Sequence, residues 1–224
     1  RLIRLQDKAA QTTIQRTVQF LAALAAEDLF PGQPLNVDFS YAGGMYCELQ
    51  RDEPLSNDDV TALADRMAEI VAEDRPLLPQ RFGLRALLKV YQRAGDERNY
   101  RTTKYLRRES LEFYRSEGSQ LMYYGRQLPS TGFVKAFKLI PQSPGFVLLS
   151  NIKGHPDQIP AYLPQTKLLD TLREYSRWVE RVGLQDTGQL NEYIVNGQTS
   201  DVIQISEARH NRFFVETAEY VSAL

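Results

Sequence analysis

Two histidines and one cysteine in 224 residues leave this chain short of the side chains from which most metal-dependent and hydrolytic sites are built. The lone Cys47 excludes an internal disulfide and is compatible with a reducing compartment, where it reads as a buried thiol on a strand. Cys47, His155 and His210 lie far apart in sequence, so no pair shows the close spacing that a tetrahedral zinc site draws on. No apolar run approaches the ~20 residues that cross a bilayer, and the start lacks the basic-then-apolar pattern of a signal peptide, so a soluble, cytoplasmic protein is expected without membrane contact. No Gly-x-x-x-x-Gly-Lys-Ser/Thr string is present to cradle phosphates. The nearest stretch, Gly197-Gln-Thr-Ser200, lacks the lysine and reads as one helix closing at the glycine and another opening at Thr199 or Ser200. Lys and Arg number 27 against 28 Asp and Glu, a formal net charge of -1, which argues against nucleic-acid binding through a general positive field.

What is present suits a folded core: at 42% hydrophobic content, this length buries roughly 70% of the surface that the unfolded chain exposes. Residues 1–6 alternate like a strand, and 1–12 reads as a strand and linker left from a preceding small domain. A helix is expected over 13–30, with Ile14, Val18, Leu21, Ala25 and Leu29 facing a sheet. Residues 35–41 and 45–50 form a hairpin through Ala42-Gly43-Gly44. Ser56-Asn-Asp-Asp59 starts a helix running to about Asp74, its acidic groups explained by capping more economically than by catalysis. Helices over 84–94 and 97–106 split at Ala94-Gly95. Strands follow at roughly 109–116, 119–124, 133–140 and 145–150. The pattern is α+β over 13–151, and 152–224 reads as a separate helical segment. Its apolar stripe is Leu168, Leu169, Leu172, Tyr175, Val179 and Val182, ended by Gly183, with Leu190, Tyr193 and Ile194 in a second helix. Ile203, Ile205, Ala208, Phe214, Ala218 and Val221 mark a third.

The loop 121–137 holds the most informative residues. Its Pro129-Ser-Thr-Gly132 is turn chemistry that lets a group approach the backbone, and the plain reading is a tight connection. Lys104, Arg107, Arg108, Arg115 and Arg126, interleaved with Tyr105, Phe113, Tyr114, Tyr123 and Tyr124, could stack bases, or could be strand residues with rings inward and charges outward.

Read with 15–32 and Gly44-Met-Tyr-Cys-Glu-Leu49, this loop resembles the editing domain of threonyl-tRNA synthetases. That family carries two histidines four residues apart on the first helix, and a cysteine and a histidine four apart in the loop. In this chain the positions fall on Arg16, Phe20, Tyr123 and Gln127, and all four differ. A second resemblance runs from about Thr12 to the C-terminus. Gln15-Arg-Thr-Val-Gln-Phe-Leu21, Tyr124-Gly-x-x-x-Pro-Ser-Thr-Gly132, Pro164-Gln-Thr-Lys-Leu-Leu-Asp170, Arg177-Trp178, Gly188-Gln-Leu-Asn-Glu192 and Ser206-Glu-Ala-Arg-His210 resemble the front region of bacterial uridine and nucleoside kinases.

The resemblances imply an editing-domain-like antiparallel sheet with packed helices, followed by an all-helical segment. They also imply a noncatalytic accessory role, regulatory or substrate-positioning, beside a C-terminal kinase domain of the same chain. That missing domain would use ATP and magnesium; no cofactor is expected here. The candidate cleft is Arg16, Phe20, Tyr123, Tyr124, Arg126, Gln127, Ser130 and Thr131, taking a nucleoside or amino acid, and a homo-oligomer is compatible. Two rival readings stand beside this one: a residual aminoacyl-tRNA deacylase using Tyr123 or an activated water, and a tRNA- or RNA-binding module.

Overall fold

The computed structural model describes residues 4, 5, 7, 10–119 and 121–223. The strand expected over 1–6 lies largely outside the described residues, and Arg4 and Leu5 are not in a strand. The chain forms two compact units: residues through Phe82 with Leu111–Leu172, and Gly83–Ser110 with Arg173–Leu224. The boundary expected at 152 therefore differs from the observed division, because 152–172 stays with the sheet and the segment 83–110 joins the tail helices. No helix among the described residues is long and apolar enough to cross a membrane.

In the first unit, α1 (Gln11–Leu29) buries Ile14, Thr17, Val18, Leu21 and Ala25 at helical spacing. Leu29, expected to face the sheet, is instead 38% exposed in the last turn of the helix. β1 (Leu35–Tyr41) and β2 (Gly44–Leu49) form the expected antiparallel hairpin, with Ala42 and Gly43 at positive φ in its turn. With β6 (Phe137–Gln142) and β7 (Gly145–Ser150) they make a four-stranded sheet in the order β1-β2-β7-β6. β7 is apolar on both faces because both are covered. Phe146 and Leu148 join the cluster under α1 and α2, while Val147 and Leu149 pack with Tyr41, Tyr46 and Leu169 on the other side. The passage around Ile159, Tyr162 and Leu169 is that second cover, and so belongs to the sheet and not to the tail.

α2 (Asn57–Ala72) starts with a full capping box, the Asp59 N–H donating to Ser56 Oγ at 3.0 Å and the Ser56 N–H to Asp59 Oδ2 at 2.9 Å. The second of these bonds, from the Ser56 N–H to the carboxylate, is the main reason that the Asp59 carboxyl lies below its usual range. A strand not anticipated from the sequence, β3 (Leu77–Gly83), borders a second sheet in the order β3-β4-β5, with β4 (Ser110–Ser116) and β5 (Tyr123–Tyr124). The strand expected over 119–124 thus shrinks to two residues, apart from Gln120, which lies outside the described residues. The strand expected from 133 begins at Phe137, because Thr131–Phe133 form a 3-10 turn.

The second unit is helical: α3 (Leu84–Ala94), α4 (Glu97–Lys104), most of α5 (Thr166–Arg181), α6 (Thr187–Val195) and α7 (Thr199–Ser222). Gly95, at φ 68°, closes α3, as the split at Ala94-Gly95 predicts. A Cβ on Gly188 would lie 2.6 Å from the Thr102 amide nitrogen and 2.7 Å from the Arg101 carbonyl carbon, so α6 sits directly on the α4 backbone. Lys104 Nζ to Glu192 at 2.7 Å and Arg101 to Asp186 at 3.6 Å flank that contact. Gly197 ends α6 at positive φ, but α7 starts after Gln198 without a side-chain cap. The apolar residues expected to make a stripe on α7 are exposed, Ile203 and Phe214 among them.

Phe146→Ala should cost about 3–5 kcal/mol, read as a lower urea midpoint, since it empties a fully buried ring site in the central strand. Gly188→Ala should loosen the α4–α6 pair and raise its amide exchange rates, because the added carbon meets backbone that has no rotamer to yield. Unchanged exchange in α4 would contradict the packing described.

Candidate functional site

The four positions matched to the editing family come together. Phe20 is fully buried on α1 and its ring stacks on that of Tyr123, with centroids 5.1 Å apart and planes 22° apart. The Tyr123 hydroxyl donates to Gln19 Oε1 at 3.0 Å. Arg16, one turn before Phe20, lies against Gly125, whose added Cβ would fall 3.0 Å from the guanidinium Nη1. The buried Gln127 donates from Nε2 to the Gly125 carbonyl at 3.1 Å, and its Oε1 has no hydrogen-bond partner among the described residues. Thr17 fixes helix to loop: its hydroxyl donates to the Thr13 carbonyl and accepts from the Leu128 N–H, both at 2.9 Å.

This arrangement supplies no activated nucleophile. Burial, with Cys47 adding and Arg16 opposing, pushes the Tyr123 phenol up to about 12. The group that receives its hydrogen bond is an amide oxygen, which cannot take a proton as a general base does. Burial also raises the Cys47 thiol well above its ordinary range, which disfavours the thiolate. No group of three His, Cys, Asp or Glu that could hold a metal occurs among the described residues. His155 sits in a turn bridged to Ile152, and His210 lies edge-on to Phe214.

The remaining candidates divide. Ser130 and Thr131 are fasteners: Ser130 Oγ donates to Asp74 Oδ1, Thr131 Oγ1 donates to the Ile70 carbonyl at 2.7 Å, and the Arg75 N–H donates to Thr131 Oγ1 at 2.9 Å. They tie the loop to the end of α2 and offer little to a ligand. Tyr124 and Arg126 are exposed. The basic-aromatic set of the sequence is distributed: Lys104 to Arg108 lie in the helical unit and Phe113 to Arg126 in the sheet unit. Within these, Lys104 pairs with Glu192 and Arg115 Nε donates to the Ser119 carbonyl at 2.7 Å.

Beside the filled position lies an open cleft of about 490 Å³. Gln15 and Gln19 of α1 form one wall, and Gln165 lies on another. The glycine turn Gly43–Gly44 forms the floor, where a Cβ on Gly44 would fall 2.5 Å from the Leu148 carbonyl oxygen. Tyr41 lines it and accepts from the Gln165 N–H at 3.0 Å. Met45, Leu163 and Leu168 supply apolar surface, and none of the lining residues is charged. Sequence reasoning missed this cleft because its lining comes from four separate stretches of chain and its polar groups are scattered amides and hydroxyls, which have no spacing signature. The close pair Gly43-Gly44 was the available signal.

The Tyr123 phenol titrates near 10 in the unfolded chain and higher in the fold, so its contribution to stability is complete below pH ~10 and falls as pH rises towards 12. The thermal midpoint of Tyr123→Phe should therefore fall less than that of the parent over this range. Parallel falls would mean that the phenol ionises freely.

No protein-family model matches the chain. It is similar to threonine–tRNA ligases: 28% identical over 135 residues to that of Marinobacter nauticus, covering 60% of this chain and 21% of the ligase. It is also 30% identical over 132 residues to that of Phenylobacterium zucineum, covering 58% of this chain and 20% of the ligase, and 30% identical over 141 residues to that of Maricaulis maris, covering 62% and 22%. The chain thus spans about a fifth of the length of these relatives. Together with its antiparallel sheets and packed helices, the likeness gives the chain an α+β fold of the threonyl-tRNA synthetase editing-domain kind.

Proposed function

We propose that this chain is a non-hydrolytic recognition module on an editing-domain-like scaffold, which binds a small ligand or the end of an RNA in the cleft beside Gln15 and Gln19. The observation that carries this reading is the Phe20–Tyr123 stack, which fills with two rings the place that the resemblance assigns to histidines and a cysteine. A scaffold that keeps an open cleft whose hydroxyls, Ser40, Tyr41 and Ser150, have no His, Asp, Glu or Lys in the lining to activate them is suited to select and hold rather than to cleave.

Recognition of a tRNA acceptor end is the form of this reading that the likeness to tRNA ligases favours, and Arg16, Tyr124 and Arg126 are exposed near the loop to meet a backbone or base. The resemblance of the tail supports a wider context: an accessory region of a uridine or nucleoside kinase, with ATP and magnesium serving a phosphotransferase domain elsewhere in the same chain. A Gly-x-x-x-x-Gly-Lys-Ser/Thr string in the reading frame downstream of Leu224 would support that context, and a ligase domain there would remove it.

Incubated with tRNA charged with serine or threonine, the chain should release amino acid no faster than buffer, with or without chelator, while a tRNA acceptor microhelix binds saturably and loses affinity as salt rises. Release above the blank that Tyr123→Phe abolishes would overturn the non-hydrolytic reading.

A further inference from the structure

α7 buries none of its residues, although its sequence is patterned for burial. In its first half one side is held by α5: Arg209 lies over the Trp178 ring at 4.7 Å and meets Glu174 at 3.6 Å, and Val202 and Ser206 are half-buried on the same side. Ile203, Ser206, His210, Phe213, Thr217 and Tyr220 repeat at the alternating three- and four-residue spacing of a helix that pairs with another helix. Past Arg209 this seam lies open. Phe213, Phe214, Tyr220 and Val221 are between 58% and 69% exposed, whereas Ile205 and Val215 point away from the seam. Single exposed apolar residues are ordinary, but a run of large ones along one face marks an interaction surface.

The charges at the edge of the seam select both the occupant and its direction. Arg209 and Glu216 stand on one edge, and Glu207 stands on the other. When a second α7 lies antiparallel, crossing between Asn211 and Arg212, Arg209 comes alongside Glu216 of the second copy, and the same pair forms again by symmetry. Ile203 then meets Tyr220, and His210 meets Phe213. A parallel pair lays Arg209 beside Phe214 and Glu216 beside Val221, where neither charge has an opposite to meet. Within the chain Arg209 already pairs with Glu174 and Glu216 with Arg212. Such surface ion pairs are worth little, and each group can share a further partner.

We infer that α7 is the interface between two copies of this chain, paired antiparallel about the middle of the helix through the seam from Ile203 to Tyr220. The self-complementary run, basic at Arg209 and acidic at Glu216 with aromatic rings between and beyond, meets itself and needs no other partner. Ser206, His210 and Thr217 dilute the apolar seam, and one helix from each copy makes a small interface, so dissociation in the micromolar range is expected. The cleft belongs to the other unit, and pairing through α7 is independent of what the cleft binds.

The experiment is analytical ultracentrifugation of the whole chain from low-micromolar to submillimolar concentration. It is repeated on Phe213→Asp/Tyr220→Asp, two exposed positions whose replacement leaves the core untouched, with circular dichroism to confirm the fold. The expected result is a monomer–dimer equilibrium in the parent and dissociation easier by about a hundredfold in the double variant. Direction is read by oxidation of engineered cysteines, Cys47 being buried and slow to react. A mixture of Ile203→Cys and Tyr220→Cys chains should yield a disulfide-linked dimer of one with the other, while Tyr220→Cys alone yields none. A monomer at every concentration overturns the inference, and pelleting of that monomer with phospholipid vesicles would give the seam to a membrane surface instead. A dimer that the two aspartates leave intact places the contact elsewhere and overturns it as well. Cross-linking of Tyr220→Cys to itself overturns the antiparallel arrangement.

Discussion

Coverage of β7 on both faces is the constraint from which the first unit is organised. A strand reading Gly-Phe-Val-Leu-Leu-Ser has no polar side to give to water, so it needs a layer above and a layer below. α1 and α2 provide one layer through Phe146 and Leu148, and the passage ending at Leu169 provides the other through Val147 and Leu149. Because the second cover is an irregular segment running into the first turn of α5, its Leu163, Gln165 and Leu168 are carried to the edge of the β1–β2 turn, where the cleft opens. The cleft is thus a by-product of how the central strand is buried.

Much of this was legible where the signal is local. The Ser56–Asp59 box, the Gly95 break and the β1–β2 hairpin each depend on residues within a few positions of one another, and each is found as read. β3 was not legible: Leu-Leu-Pro-Gln-Arg-Phe-Gly carries Pro79 and no clean alternation, which an edge strand tolerates and a central one does not. The 3-10 turn at Thr131 is set by partners near Ile70, Asp74 and Arg75, more than fifty residues away, so nothing beside it in sequence announces it. At the site, Arg16, Phe20, Tyr123 and Gln127 were singled out by the resemblance alone; in the fold Phe20 stacks on Tyr123, and Arg16 and Gln127 both meet Gly125. Ser130 and Thr131 share the same loop but are turned to the scaffold, because a hydroxyl meets the nearest carbonyl or carboxylate before it meets solvent.

A filled site also changes the energetics of the domain. Clustered histidines and a cysteine hold polar groups in a partly buried place, where each unmet hydrogen bond costs free energy. Stacked rings contribute about 0.5–1.5 kcal/mol beyond the area they bury. Gln127 Oε1 is the buried side-chain polar atom of that group without a hydrogen-bond partner among the described residues.

The path of the backbone between its two units has a separate consequence. The chain passes from the sheet unit to the helical unit after Phe82, returns at Leu111, and leaves again after Leu172. No single peptide cut releases either unit whole. A fragment ending near residue 151 would strip Val147 and Leu149 of their cover while leaving α3 and α4 without α6. Each unit is assembled from two separated stretches of chain, so a truncation at one point breaks both at once.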